Sequence, residues 1–220
     1  MQQKIVILFA VTLFCTGLTG LQAQTVKDID GNIYKTVAIG KQIWMAENLK
    51  TTKYNDGRVV PLVTDDKAWK ALTTPAYCWY NNDAKNNKDK YGALYNWYTV
   101  KTNKLCPTGW HVPTDAEWTA LTTYLGGESV AGVKLKETGI THWEKPNTGA
   151  TNGSGFTALP SGYRSGYGSF DQIGNCCYWW SYTEGDKVLA YNRGIGYNKR
   201  RVVRYKDYKV DGFSIRCLLD

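Results

Sequence analysis

Cys106–Leu125 reads CPTGWHVPTDAEWTALTTYL, and the rest of the chain is arranged around it. Pro107, Thr108 and Gly109 make a tight turn. Trp110, His111 and Val112 run extended until Pro113, which has no N–H to give a strand ladder. Thr114 and Glu117 have the Thr-x-x-Glu spacing of a capping box, in which the hydroxyl accepts from the Glu117 N–H and the carboxylate reaches back. Trp118, Leu121 and Leu125 then share one helical face with Tyr124 beside them, and Gly126-Gly127 supplies a left-handed stop. Nothing in the stretch is an activated nucleophile or a metal-ligand set. It holds the domain together, so function must lie elsewhere.

Lys4 precedes an apolar run from Ile5 to Leu18, with Leu21 and Ala23 at the positions a signal peptidase reads. Residues 1–23 are therefore expected to be a secretory signal cleaved after Ala23. The run is short for a membrane span, and no later segment has the length of one. A lipoprotein would place a small residue before Cys15, where this chain has Phe14. Residues 24–220 suffice for one domain with a sizeable core. Loss of Lys4 lowers the net charge from +8 to +7, and all 9 Trp and all 16 Tyr lie after the signal. Trp and Tyr favour strands and also serve as rigid contact area in binding faces.

Cys78, Cys106, Cys176, Cys177 and Cys217 follow the signal. Export favours disulfides, and an odd number leaves at least one free thiol. Their spacing fits no zinc site, and His111 and His142 are the only histidines. Asp28-x-Asp-x-Asn lacks the downstream Glu of a calcium loop and reads as a turn. Glu144–Asn147 and Asp186 supply too few oxygens for calcium. No metal or cofactor is expected.

Taken in order, Thr25–Asn48 reads as a hairpin and a strand, Asp65–Leu72 as a short helix, Tyr77–Tyr80 as a strand and Asn81–Lys90 as a solvated polar loop. Tyr91–Val100 fits a helix or a strand, with the spacing of Leu94, Trp97 and Tyr98 favouring the helix, and Val133–Glu137 reads as a short helix. Strands follow at Tyr178–Thr183, Ala190–Ile195, Arg200–Tyr205 and Gly212–Leu218. Strands first, helices in the middle and strands last is an α+β pattern.

Several segments together are similar to one family. They are Ile29-Asp-Gly-Asn-Ile-Tyr, Ile43-Trp-Met-Ala-Glu-Asn-Leu, Tyr91-Gly-Ala-Leu-Tyr-Asn-Trp-Tyr, Cys106-Pro-Thr-Gly-Trp-His-Val-Pro-Thr-Asp-Ala-Glu-Trp, Gly162-Tyr-Arg, Tyr178-Trp-Trp-Ser and Gly212-Phe-Ser-Ile-Arg-Cys. Their order resembles that of the Fibrobacter succinogenes major paralogous domain across essentially the whole of 24–220. The resemblance implies an exported or surface-displayed protein with a C-type-lectin-like fold of short strands and two main helices. It also implies a disulfide from Cys106 to Cys217. Cys78 is then expected, by elimination, to pair with Cys176 or Cys177. The fold is shared with formylglycine-generating enzymes, but no matching active-site pattern surrounds Cys176-Cys177, and that activity is not carried over. No Gly-x-Ser-x-Gly or His-Glu-x-x-His motif occurs, and no catalysis is expected.

The functional expectation rests on Tyr182–Lys209. Tyr191, Arg193, Tyr197, Lys199, Arg200, Arg204, Tyr205, Lys206 and Tyr208 combine aromatic platforms with positive charge, and this region resembles the variable part of lectin-like receptors. Seven basic residues stand against one acid, Asp207, between Arg193 and Lys209. That composition suits a binding face for an acidic glycan or protein outside the cell. The runner-up is a structural surface protein whose face contacts another copy or a cell-envelope component, and the plain alternative is a pair of solvated surface strands. No nucleic-acid recognition motif accompanies the charge.

Overall fold

The computed structural model describes residues 24–220, and the expected signal at 1–23 lies outside them. The chain begins with β1 (Thr25–Lys27), β2 (Ile33–Ile39) and β3 (Gln42–Met45). Next come α1 (Asp66–Lys70), β4 (Tyr77–Cys78), a 3-10 turn at Tyr80–Asn82, α2 (Ala84–Tyr91), β5 (Leu94–Tyr95) and α3 (Trp97–Val100). The middle holds β6 (Trp110–His111), α4 (Asp115–Tyr124) and α5 (Glu128–Leu135). The last part holds β7 (Ser161–Arg164), β8 (Phe170–Ile173), β9 (Cys176–Glu184), β10 (Leu189–Gly196), β11 (Val203–Tyr208) and β12 (Leu218–Leu219). Two five-stranded sheets result, ordered β1-β2-β3-β12-β6 and β11-β10-β9-β7-β8, with β4-β5 as a small two-stranded sheet. The protein is thus α+β with sheet predominating.

The opening segment forms as its chemistry dictates. Thr114 Oγ1 accepts from the Glu117 N–H at 3.3 Å while Glu117 Oε2 accepts from the Thr114 N–H at 2.7 Å. The helix this starts carries Trp118 into a fully buried aromatic cluster. Its ring centroid lies 4.7 Å from Trp44, 5.7 Å from Trp179 and 6.1 Å from Phe156. A disulfide joins Cys106, just before β6, to Cys217, just before β12. The first strands therefore close against the last, with Leu218 between Trp44 and His111. His111 reinforces the seam, with Nδ1 2.6 Å from Asp220 Oδ1 and Nε2 3.0 Å from Glu117 Oε1.

Four expectations need correction. Asn81–Lys90 is largely helical rather than a loop, though it is mostly exposed as expected. Asp83 caps α2 by accepting from the Asn86 N–H at 3.1 Å, and buried Asn87 donates to the Tyr80 carbonyl at 2.9 Å. Polar anchoring replaces the apolar periodicity that would have revealed it. Tyr91–Val100 is not one helix but the end of α2, then β5 and α3. Gly92 breaks it with φ +76° in a place where a Cβ would meet the Leu49 carbonyl oxygen at 2.7 Å. Asn96 then caps α3 by accepting from the Thr99 N–H at 3.2 Å. The expected pair of main helices becomes α2, α4 and α5, since α5 starts at Glu128, five residues before Val133. Finally, Cys78 pairs with neither Cys176 nor Cys177; among the described residues all three are free. Adjacent strand residues point to opposite faces, so Cys177 sits in the α4-side core and Cys176 does not. Cys78 lies in a separate cluster with Trp69, Ala76, Tyr80 and Leu94. Burial pushes the Cys78 thiol up to about 12 and raises Cys177 and Cys176 as well.

Candidate functional site

The strands β9, β10 and β11 carry most of the residues singled out in the sequence, and alternation divides them between two faces. Arg193 pairs with Arg204 and Tyr191 with Lys206 across β10–β11, and these side chains face α4. Arg193 is wholly buried, with Nη1 on Asp115 Oδ1 and Nη2 2.9 Å from Thr119 Oγ1. Arg204 Nε lies 3.0 Å from both Asp115 oxygens, and its guanidinium sits 4.1 Å above the Tyr191 ring. Lys206 Nζ lies 4.9 Å from the centroid of that ring. The two arginines together hold the Asp115 carboxyl below the usual carboxylate range, against the opposing effect of burial. Arg193, expected to contact ligand, is instead a buried brace between β10 and α4.

Tyr197, Lys199 and Arg200 occupy the loop between β10 and β11. A buried ammonium fixes that loop: Lys136 Nζ donates to the carbonyls of Lys199 at 3.0 Å, Tyr197 at 3.1 Å and Thr148 at 3.2 Å. Burial pushes Lys136 down to about 8. Gly132 on α5 gives the loop room, because a Cβ there would stand 2.7 Å from the Arg200 carbonyl oxygen.

Only Tyr205 and Tyr208 of the nine enter the main concavity of the opposite face. This is an open cleft of about 650 Å³. Its aromatic lining is Tyr163 from β7, Tyr178 from β9, Tyr205 and Tyr208 from β11, and Tyr167 and Phe213 from loops. Tyr178 stacks on Phe213 with centroids 5.2 Å apart, meets Tyr163 edge-on at 5.4 Å and lies 6.5 Å from Tyr205. Gly194 allows this arrangement, since a Cβ there would stand 2.9 Å from Tyr178 Cε1 and 3.4 Å from Tyr205 Cε2. Asp207 and Asp211 also line the cleft, with Lys70 as its one cation. Asp207 accepts from Asn192 Nδ2 at 2.9 Å, and Asp211 accepts from the Gly166 N–H. Among the described residues neither carboxylate is in an ion pair. Burial, and then Asp207, push Asp211 up to about 7, while its backbone hydrogen bonds pull the other way.

Sequence reading missed Tyr163, Tyr178, Phe213 and Asp211. A signal existed: Gly162-Tyr-Arg, Tyr178-Trp-Trp-Ser and Gly212-Phe-Ser each contribute one ring. What joins them is the parallel pairing of β7 with β9 and the bridge from Trp179 to Ser214.

The other polar candidates serve the fold. Asp28 accepts from the Tyr34 hydroxyl at 2.6 Å and the Asn32 N–H at 2.9 Å. Asp30 pairs with Lys53 at 3.1 Å. Asp186 accepts from the Val188 and Leu189 N–H groups, and His142 Nδ1 lies 2.8 Å from Glu137. No helix among the described residues is long and apolar enough to cross a membrane.

Comparison with curated proteins and with solved structures returned no significant match. The model of the Fibrobacter succinogenes major domain matches residues 37–218, from β2 to the first residue of β12 and across every element that builds the cleft. The chain belongs to the Fibrobacter succinogenes major domain family.

Proposed function

We propose that this protein is an exported, surface-exposed and non-catalytic binding module that takes an extracellular glycan in the aromatic cleft. The observation that carries this reading is the set of five tyrosines and Phe213 around one open concavity. Ring faces stack on the apolar face of a sugar, while phenol hydroxyls and carboxylates can bond to its hydroxyls. Tyr205 and Tyr208 are 42% and 58% exposed, so their rings are available at the rim without unfolding anything. The fold reading that accompanies this is C-type-lectin-like. It is supported by the closure of the N-terminal strands on β12 and by the long Cys106–Cys217 link. That link also favours an oxidising compartment, hence export.

A glycan array followed by calorimetry on the best hit tests the reading. Tyr205→Ala should weaken binding tenfold or more without lowering the melting temperature, whereas Tyr191→Ala, on the α4 face, should not. If no glycan binds and the protein self-associates through the same rims, a scaffold role replaces the binding role.

A further inference from the structure

The Tyr178 and Tyr205 rings line two concavities, one on each side. Beyond them from the main cleft lies a smaller one of about 240 Å³, whose walls include Tyr197, Lys199, Arg201 and Val203. Its two cations face no lining carboxylate, and among the described residues neither Lys199 nor Arg201 is in an ion pair. The main cleft has the opposite character. Asp207 and Asp211 are held there by neutral donors, among them Asn192 and Gly166. Lys70, at its edge, is placed over Tyr167 at 5.1 Å. Aromatic faces beside unpaired carboxylates favour an organic cation, and a Lys–Arg pair beside tyrosines favours an anion.

We propose that the ligand is a zwitterionic oligosaccharide. Its free ammonium group sits at Asp207 and Asp211, its sugar rings cross Tyr178 and Tyr205, and its carboxylate or phosphate reaches Lys199 and Arg201. This deepens the glycan-binding reading and rests on it. Along β11, Asp207 and Val203 are four residues apart, roughly 13 Å at the usual strand rise. A lone monosaccharide or amino acid cannot span that interval, so the charges belong to different units of a chain. The basic residues Arg204 and Lys206, on the α4 face, take no part.

The probe is an alternating glucosamine–glucuronate oligosaccharide made by N-deacetylating heparosan. It is compared by calorimetry with its N-acetylated parent and with its carboxyl-reduced form, at low and physiological salt. The zwitterion should bind at least tenfold tighter than either. Asp207→Asn/Asp211→Asn should abolish the preference for the free amine and leave the preference for the carboxylate. Lys199→Ala/Arg201→Ala should do the reverse, and melting curves will show that both variants fold. Equal affinity for all three probes with retained dependence on Tyr205 would overturn the charge assignment and leave the cleft as a glycan site. Binding of an alternating lysine–aspartate peptide in place of the sugars would overturn the glycan class. No binding of any probe by the folded wild type would overturn the proposal as well.

Discussion

Arg193 and Arg204 close on one carboxylate, that of Asp115, from the two strands of the last long hairpin. The first guanidinium is wholly buried and the second is half exposed. Asp115 lies in the first turn of α4, directly after the N-cap Thr114, where the helix N-terminus also favours negative charge. The contact therefore fastens β10 and β11 to the element around which the chain is arranged. Asp115→Ala should lower stability by about 3 to 5 kcal/mol, because it leaves a buried charge without its partner. Arg204→Ala should cost only about 1 kcal/mol or less, since that ion is partly solvated. Urea denaturation of both variants measures the difference; equal losses would show that burial of Arg193 is not what matters.

The Cys106–Cys217 link spans a sequence separation of 111 residues. Cys106→Ser/Cys217→Ser should destabilise the protein by roughly 4 to 5 kcal/mol in the chain-entropy account. A non-reducing peptide map should show this one linked pair. Alkylation should reach half-buried Cys176 first and reach Cys78 and Cys177 only on unfolding. A linked Cys78 peptide would contradict the arrangement.

Trp118 is fully buried, and among the described residues its indole N–H has no hydrogen-bond partner. Trp118→Ala should cost about 3 to 5 kcal/mol through lost contacts and the cavity left behind. Trp118→Phe should cost distinctly less, because it keeps much of the packing against Trp44 and removes the unsatisfied donor. Thermal unfolding of the two variants gives the comparison.

Lys136→Met should loosen the loop between β10 and β11. The ammonium now donates to the carbonyls of Thr148, Tyr197 and Lys199; removing it deprives those of Thr148 and Lys199 of this donor and leaves the Tyr197 carbonyl with the Thr148 N–H alone, a loss of about 1 to 3 kcal/mol. Hydrogen exchange should speed up at the Thr148 amide, which donates to the Tyr197 carbonyl. Unchanged exchange there would show the loop to be held by its own turn.

Asp211 gives the protein a pH dependence of definite sign. Its carboxyl is raised from 3.8 to about 7, with Asp207 and Lys70 the other charged groups lining the cleft. Between those values the folded state keeps a proton that the unfolded state has lost. This contribution to stability is fully present below about pH 4 and is lost as pH rises through 7. Asp211→Asn removes that dependence while its side-chain oxygen still accepts from Gly166. The stability of the variant relative to wild type should therefore rise from pH 4 to 7 and then level off, as read from urea midpoints across the range. A difference independent of pH would show that Asp211 titrates normally.

What the sequence determined by itself was local or carried by a whole succession of motifs. The box of Thr114 and Glu117 and the stop at Gly126-Gly127 follow from contacts a few residues apart, and the inward face of Trp118 follows from helical spacing with Leu121 and Leu125. The ordered motifs pointed to the family and, through it, to the link between Cys106 and Cys217. Tertiary structure decided what depended on which face a side chain took. Adjacent residues in a strand point to opposite sides, so one aromatic and basic stretch became three groups: a brace on Asp115, a loop tied down by Lys136, and only two tyrosines of the cleft. The other walls come from Tyr163, Tyr178 and Phe213, brought together by long-range pairing. Composition averaged over both faces read as basic, whereas alternation sent Arg193, Arg204 and Lys206 to the helix side and left Asp207 in the cleft.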